Sequence, residues 1–148
     1  MTAVDANILV YSQRMDSPWY RQAEDAIREL AESRTPWAIP WPCVYEFLNT
    51  VTHPRRYEPP TPVPMALTVV ESWLASPSLV LLSEPMGFFA TLRDVIRSTR
   101  VAGPAVHDAR IAALCHYHGV DKLYTADRDF SRFARYVRVE NPLVAPRG

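Results

Sequence analysis

The order of the predicted elements indicates an α/β protein with a central parallel sheet covered by helices on both faces. Short apolar segments alternate with amphipathic segments along most of the 148-residue chain. Proline and glycine mark many of the boundaries between them. This alternation is typical of strands that run parallel and are joined by crossover helices. In such folds the functional site lies at the carboxyl ends of the strands, near the point where the strand order reverses.

The first half of the chain contains two predicted strands, which are short and apolar, at 2–4 and 37–40. Ser17-Pro18 is a helix-start signal, with Ser17 as the cap and Pro18 at the first helical position. Apolar residues then recur at helical spacing. The predicted helical segments of this half are 7–13 (a short helix or turn), 18–34, 42–52 and 62–75.

The second half contains three predicted strands, at 79–82, 122–125 and 136–139. The first of these, Leu79-Val80-Leu81-Leu82, is a continuous apolar run and predicts a fully buried strand. Gly103-Pro104 predicts the start of a helix that Gly119 ends. The helical segments of this half are 86–99, 104–118 and a short one at 129–133.

The composition predicts one domain spanning 1–148, because hydrophobic residues make up 48% of the chain and are enough for one sizeable core. No apolar run reaches the length of a membrane span, and the N-terminus lacks the features of a signal peptide. Cys43 and Cys115 lie far apart without a CxxC motif, which fits a reducing cytosol and a cytoplasmic protein. The formal net charge is +0, which argues against a protein that coats nucleic acid but permits a local basic patch.

Acidic residues fall at the ends of the predicted strands or at the starts of helices. Asp5 directly follows the first strand, and Asp127 lies two residues past Thr125 at the end of the fourth strand. Glu46 lies one turn into the helix after the second strand, and Asp108 lies in the first turn of the helix before the fourth. All four carboxylates are therefore expected to converge on one edge of the sheet.

Such a convergence predicts a divalent cation. Apolar neighbours surround Asp5, Glu46 and Asp108, and a carboxylate among apolar residues is costly to bury unless it is paired or metal-bound. Two carboxylates 4 Å apart repel by roughly 4 kcal/mol at an effective dielectric of about 20. Oxygen ligands select Mg²⁺ or Mn²⁺, which can activate a water and stabilise the leaving oxygen of a phosphodiester. For any one acid alone the alternative is a helix cap or a hydrogen-bonded buried acid, above all for Asp108.

At this point the residues resemble a known family, the PIN-domain ribonucleases, and within it the VapC toxins of bacterial type II toxin–antitoxin pairs. The matching segments follow the family's order over nearly the whole chain: Val4 to Asn7, Pro42 to Phe47, His107 to Ala109 and Thr125 to Phe130. The resemblance implies a three-layer α/β/α sandwich with a central parallel sheet. It also implies Mg²⁺- or Mn²⁺-dependent endonucleolytic cleavage of RNA by a metal-activated water.

The resemblance assigns the acidic site to Asp5, Glu46, Asp108 and Asp127. Asp5 and Asp108 would be the direct metal ligands, and Glu46 and Asp127 would hold metal-bound waters or a second ion. Asn7 and Thr125 would orient the carboxylates through hydrogen bonds, with ordinary turn chemistry as the alternative. Asp129 matches an accessory acid of the last motif, although we expect it to cap the short helix that follows.

The resemblance also implies a homodimer and a cognate antitoxin that lays an apolar, partly helical segment into a groove and obstructs the acidic site. Four aromatic residues are candidates for this groove, and a place in the core is the alternative for each: Trp19, Tyr20, Trp41 and Trp73.

Arginines near the last acidic motif are candidates for contacting RNA phosphates. Arg128 and Arg132 are the main ones; Arg135, Arg138, Arg55 and Arg56 would complete a basic rim. A solvated surface is the alternative. His116 and His118 beside Cys115 suggest zinc, but residues two apart on a helix do not face each other and further ligands are missing. His107 is a candidate phosphate contact or a surface residue.

Two other classes of protein compete with a nuclease. An aspartyl-nucleophile phosphatase also places its nucleophile after the first strand, but its second acid is here Asn7. A non-catalytic nucleic-acid-binding module would not require four acids to converge. A DNA nuclease on the same fold stays open at this stage.

Overall fold

The computed structural model describes residues 1–144 and contains one five-stranded, wholly parallel sheet with the strand order β3-β2-β1-β4-β5. The strands are β1 (Thr2–Val4), β2 (Trp37–Pro40), β3 (Leu79–Leu82), β4 (Lys122–Tyr124) and β5 (Arg138–Glu140). The helices are α1 (Ala6–Tyr11), α2 (Tyr20–Glu32), α3 (Trp41–Val51), α4 (Val63–Leu74), α5 (Phe88–Thr99) and α6 (Ala105–Tyr117), followed by a 3₁₀ helix, Arg128–Phe133.

The connections place helices on both faces of the sheet, as expected. The chain moves from β1 through β2 to the β3 edge, and then crosses back to β4 and β5 on the other side of β1. Because parallel crossovers are right-handed, the change of direction moves the later helices to the opposite face. In agreement, α1 contacts α2 and α3, whereas α5 contacts α6 and the 3₁₀ helix. The result is the predicted α/β fold with its sheet in the middle layer.

The core lies between the sheet and its helices and is formed by large side chains from both halves of the chain. The largest fully buried ones include Trp37, Phe47, Phe130 and Phe133. Trp73 packs edge-on against Phe47, with the ring centroids 4.8 Å apart. Among residues 1–144, no helix is both long and apolar enough to cross a bilayer.

The reversal of strand order lies between β1 and β4, at the centre of the sheet. Val4 is in register with Tyr124, so the residues that follow the two strands emerge side by side. The Asp5 amide donates to the Tyr124 carbonyl at 2.9 Å and extends this pairing by one residue. The carboxyl edge of these two strands is the place where an α/β fold forms its site.

Two local predictions differ from the structure. β3 is an edge strand rather than a fully buried one, and Val80 is 40% exposed, because its outer neighbour is solvent. An apolar run does not distinguish an edge strand from a central one. The predicted cap at Ser17 is also wrong: α2 begins at Tyr20, and the Ser17 hydroxyl instead accepts from the Trp19 amide in the preceding turn.

Candidate active site

Asp5 is the buried acid of the site, with only 4% of its surface exposed. It caps α1, and its Oδ1 accepts a hydrogen bond from the Ala6 amide at 2.8 Å. Its Oδ2 accepts from the Thr125 hydroxyl at 2.8 Å and from the Asn7 amide group at 3.4 Å. The Cys43 thiol contacts Oδ1 at 3.5 Å. Neutral donors thus surround the carboxylate, and no ion pair of Asp5 occurs among residues 1–144.

This environment makes the charged form of Asp5 unfavourable. Burial raises the pKa of Asp5 from 3.8 to about 6. The Thr125 hydroxyl and the Ala6 amide lower this pKa in part, whereas the negative charge of Glu46 raises it. Glu46 therefore lies close enough to Asp5 for the two charges to repel each other.

Thr125 and Asn7 connect Asp5 to the end of β4. The Thr125 hydroxyl donates to Asp5 and accepts from Asn7 Nδ2 and from the Asp127 amide, each at 3.1 Å. Asn7 Oδ1 in turn accepts from the Ala126 amide at 3.1 Å. This network fixes the loop after β4 against the start of α1. The structure therefore places both predicted supporting residues beside Asp5.

Asp108 and Glu46 line a common cleft of about 500 Å³ between α3 and the start of α6. Burial raises the pKa of Asp108, and the charges of Asp127 and Glu46 raise it further, whereas Arg132 lowers it. Asp108 does not cap its helix: Pro104 occupies that position, and no hydrogen bond among residues 1–144 involves the Asp108 carboxylate. The four predicted acids are thus electrostatically coupled at one edge of the sheet.

Asp127 caps the 3₁₀ helix and is only half-buried. Its Oδ1 accepts from the Asp129 amide at 2.9 Å, while Asp129 itself is exposed in the first turn. The expectation that Asp129 provides this cap is therefore wrong. Asp127, two residues earlier, has the extended backbone that a cap requires, with φ −83° and ψ 111°.

The acids surround an open cleft rather than a closed cage. Glu46 is exposed, although its apolar sequence neighbours suggested burial, because Tyr45 and Glu46 both face outward from α3. Within the part of the chain that the structure describes, no three His, Cys, Asp or Glu side chains form a ready-made metal cage. Any cation here would be held by few protein ligands, with solvent completing its shell.

The predicted basic rim is only partly present. Arg132 acts electrostatically on Asp108, and Arg128 borders the same cavity as Asp127. Arg56 borders a small cavity with Glu46 on the other side. Arg138, however, is the first residue of β5 and lies near Lys122 and Met1 at the amino edge of the sheet. The prediction that Arg138 belongs to the rim is therefore wrong. Residues 134–137 lead the chain from the end of the 3₁₀ helix to the opposite edge of the sheet.

Two residues of the site were missed by sequence reasoning. Cys43 contacts Asp5 and lies one helical turn before Glu46, a spacing that marks a shared helix face. Arg110 lines the cleft and forms an ion pair with Glu84, which raises the pKa of Arg110 and lowers that of Glu84. Its position three residues after His107 on the same helix, a spacing that places two side chains on one face, could have indicated it.

The remaining candidates divide between the site and the scaffold. His107 is exposed and lines the cleft, whereas His116 and His118 contact the carbonyls of Tyr136 and Ser83. Of the four aromatic residues considered for a groove, Trp73 belongs to the core and Trp19 is 42% exposed. Tyr20 and Trp41 are partly buried.

Comparison with known proteins gives a consistent result. The family model of the PIN domain matches residues 2–136. Ribonuclease VapC48 of Mycobacterium tuberculosis is 27% identical over 138 residues, covering 93% of this chain and 94% of the relative. The crystal structure of Mycobacterium tuberculosis VapC20, a Sarcin-Ricin loop cleaving toxin, superposes with a TM-score of 0.68 at 14% identity, covering 94% and 98% of the two chains. VapBC2 from Rickettsia felis, bound to a promoter DNA fragment, gives a TM-score of 0.69 at 15% identity, covering 95% and 97%.

Proposed function

The chain belongs to the PIN domain family, and we propose that it is a Mg²⁺-dependent endoribonuclease that acts as the toxin of a type II toxin–antitoxin pair. The observation that carries the proposal is the convergence of Asp5, Glu46, Asp108 and Asp127 at the carboxyl edge of β1 and β4. Their charges repel one another, and the buried Asp5 has no ion-pair partner within residues 1–144. A cation would relieve this repulsion.

The residues present fit a hard divalent ion. The donor set consists of carboxylate oxygens, which suit Mg²⁺ and Mn²⁺. Mg²⁺ is usually bound by one or two carboxylates and keeps several waters, so an open cleft suits it better than a closed cage. Asp5 and Asp108 would hold the ion, with Glu46 and Asp127 on waters or on a second ion. The ion would polarise the phosphodiester and favour attack by water.

The chain's own residues position the reaction. Thr125 and Asn7 hold the Asp5 carboxylate in one orientation. Both donate side-chain hydrogen bonds to Asp5 Oδ2, at 2.8 and 3.4 Å, and Asn7 also donates to the Thr125 hydroxyl at 3.1 Å. Arg110 lines the acidic cleft, the charge of Arg132 acts on Asp108, and Arg128 borders a neighbouring cavity together with Asp127, so all three are candidates for contacting RNA phosphates. In hydrolysis the water oxygen attaches to phosphorus, the P–O bond to the leaving nucleoside breaks, and the leaving oxygen takes up a proton.

The experiment is metal-dependent cleavage of a 5′-labelled pool of random 20-nucleotide RNAs. The wild-type chain should cut in Mg²⁺ or Mn²⁺ and stop in excess EDTA, and Asp108→Asn should not cut. Asp94→Asn, which removes an exposed acid on α5, is the matched control and should cut normally. A DNA pool of the same lengths separates a ribonuclease from a DNA nuclease. Cleavage that persists in EDTA would overturn the metal-dependent mechanism.

The toxin role is tested in cells. Induced expression of the wild-type chain should arrest growth, and Asp108→Asn should not. The partner we propose is a cognate antitoxin that lays an apolar, partly helical segment into a groove and obstructs the acidic site; it should be encoded by a small reading frame adjacent to this gene. Co-expression of that product should restore growth, and failure to do so would contradict this partner. The homodimer implied by the resemblance stays a prediction.

A further inference from the structure

Tyr45 is an unusually exposed aromatic residue at the edge of the acidic cleft. It lies in the middle of α3, directly before Glu46, and 60% of its surface is accessible to solvent. Trp41, one helical turn earlier, stacks on it with ring centroids 6.0 Å apart and planes inclined by 26°. Trp41 thus supports one side of the Tyr45 ring, and the exposed part of the ring is available to a second planar group.

The surroundings of Tyr45 supply what a nucleotide needs besides a planar surface. Tyr45, Glu46 and Asp108 line the same cleft of about 500 Å³. Asn49, four residues after Tyr45 on the same helix face, lines it too and carries amide donors and acceptors that suit a base edge. Arg110 lines it as well; its Nε is paired with Glu84, and its guanidinium lies close enough to Tyr45 to interact with it electrostatically.

We propose that Tyr45 is the stacking platform for one unpaired base of the RNA, next to the phosphate that is cut. The inference rests on the proposed function and specifies its substrate class as RNA that is single-stranded at the cleavage point. A base within a duplex is already stacked on its neighbours and is not available to a side chain. Stacking on aromatic rings is tolerant of sequence, because every base has a flat π surface.

The polar side chains beside Tyr45 favour RNA over an apolar protein segment as the group that stacks on this ring. Five of the nine side chains that line the cleft are polar or charged, namely Glu46, Asn49, His107, Asp108 and Arg110, and Pro42, Pro104 and Ile111 are scattered among them. A protein segment that docks through apolar side chains requires a contiguous apolar patch. A single supported ring among charges matches a base and its phosphates better.

The test is equilibrium binding of a fluorescein-labelled 10-nucleotide RNA of mixed sequence, measured by anisotropy in Mg²⁺. All proteins carry Asp108→Asn so that the probe stays intact. Tyr45→Ala should weaken binding on the order of tenfold, and Tyr45→Phe should retain it. Tyr117→Ala is the matched control. Tyr117 is also an exposed tyrosine, at 43%, but it lies at the end of α6, whereas the cleft lies at the start of that helix. The melting temperatures of the proteins with Tyr45 and with Tyr45→Ala should be similar, because the Tyr45 ring is mostly solvated.

An abasic scan gives the sharper result. Removing one base at a time from the probe should identify one position whose loss weakens binding to Tyr45 protein but not to Tyr45→Ala protein, the non-additivity expected of a direct contact. Annealing the probe to its complement should abolish the difference between the two proteins. Equal effects of every abasic position on both proteins would overturn the inference, and so would an unchanged affinity of Tyr45→Ala for RNA with weakened binding of the antitoxin.

The two proposals fail separately. If the wild-type chain cuts RNA but Tyr45→Ala binds it normally, the stacking platform is wrong and the nuclease stands. If the Tyr45-dependent binding is found but no RNA is cut in any divalent metal, the proposed function is wrong.

Discussion

The metal-free protein should lose stability as pH rises through about 6, because folding raises the pKa of Asp5 to about 6. A carboxyl group whose pKa is higher in the folded state binds its proton more tightly there. Its contribution to stability is complete below its unfolded pKa, near 3.8, and is lost as the pH passes the folded value. The perturbation to test is Asp5→Asn, which keeps the shape of the side chain and removes the titration.

The expected magnitude follows from the shift. At about 1.4 kcal/mol per pH unit, a rise from 3.8 to about 6 corresponds to about 3 kcal/mol in the free energy of unfolding. Burial is the first cause, so the effect originates in the desolvated carboxylate and is only weakly screened by salt. Asp108 acts in the same direction, because its pKa is also raised. The exposed Asp16 and Glu84, whose pKa values are lowered, act in the opposite direction in every variant alike.

The assay is urea unfolding in EDTA at intervals between pH 4 and pH 7.5. Between these limits wild type should lose about 2.4 kcal/mol more than Asp5→Asn, because part of the full change lies below pH 4, and the exposed-acid control Asp94→Asn should follow wild type. If Asp5→Asn does not fold, wild type alone gives the answer, since Mg²⁺ should stabilise it more at pH 7.5 than at pH 4.5. Parallel pH profiles for the two proteins, or stabilisation by Mg²⁺ that is independent of pH, would refute the reasoning.

Three further outcomes are expected. Asp108→Asn should abolish RNA cleavage while preserving or raising the melting temperature in EDTA, because it removes a charge that Asp127 and Glu46 repel; a large loss of stability would contradict this. Thr125→Val should weaken Mg²⁺ binding, measured by calorimetry, by roughly 10- to 100-fold, because Asp5 loses its 2.8 Å donor; an unchanged affinity would show that Thr125 does not orient the ligand. Replacing Arg128 and Arg132 with Ala should lower the salt dependence of RNA binding, by a log–log slope of about 1.4 for two single-strand phosphate contacts, whereas Arg138→Ala should leave the slope unchanged.

Much of the fold could be predicted because hydrophobic periodicity and the proline and glycine residues at element boundaries determine secondary structure locally. The strand at 37–40 and the helix after it follow from a short buried run and Pro42. The convergence of Asp5 and Asp127 follows as well, since each comes directly after a strand and parallel strands share one carboxyl edge. These inferences require the direction of the strands but not their order.

Strand order and side-chain direction were beyond the sequence. The apolar run at 79–82 has the composition of a central strand, and only the topology places it at the edge. Arg128 and Arg138 are near each other in sequence. In the structure, however, Arg128 lies beyond the carboxyl end of β4 and Arg138 lies at the amino end of β5, on opposite edges of the sheet. Tyr45 and Glu46 stand in an apolar run, yet both face solvent, because the adjacent buried side chains are Val44 and Phe47.

The exposure of the acids explains why one of them determines the stability of the site. Glu46 is solvated and Asp108 and Asp127 are partly so, and of these three only Asp108 has a pKa that burial raises. Asp5 is buried among neutral donors, and its charge is unfavourable until a counter-charge arrives. A cation that binds only the folded chain with Asp5 ionised therefore stabilises the fold. Conversely, folding raises the affinity of the chain for the cation by the same free energy. It follows that a substitution at Asp5 should change metal affinity and the pH profile of stability together. A substitution at Glu46 should change metal affinity with a smaller effect on that profile, because its charge is a lesser cause than burial of the raised pKa of Asp5.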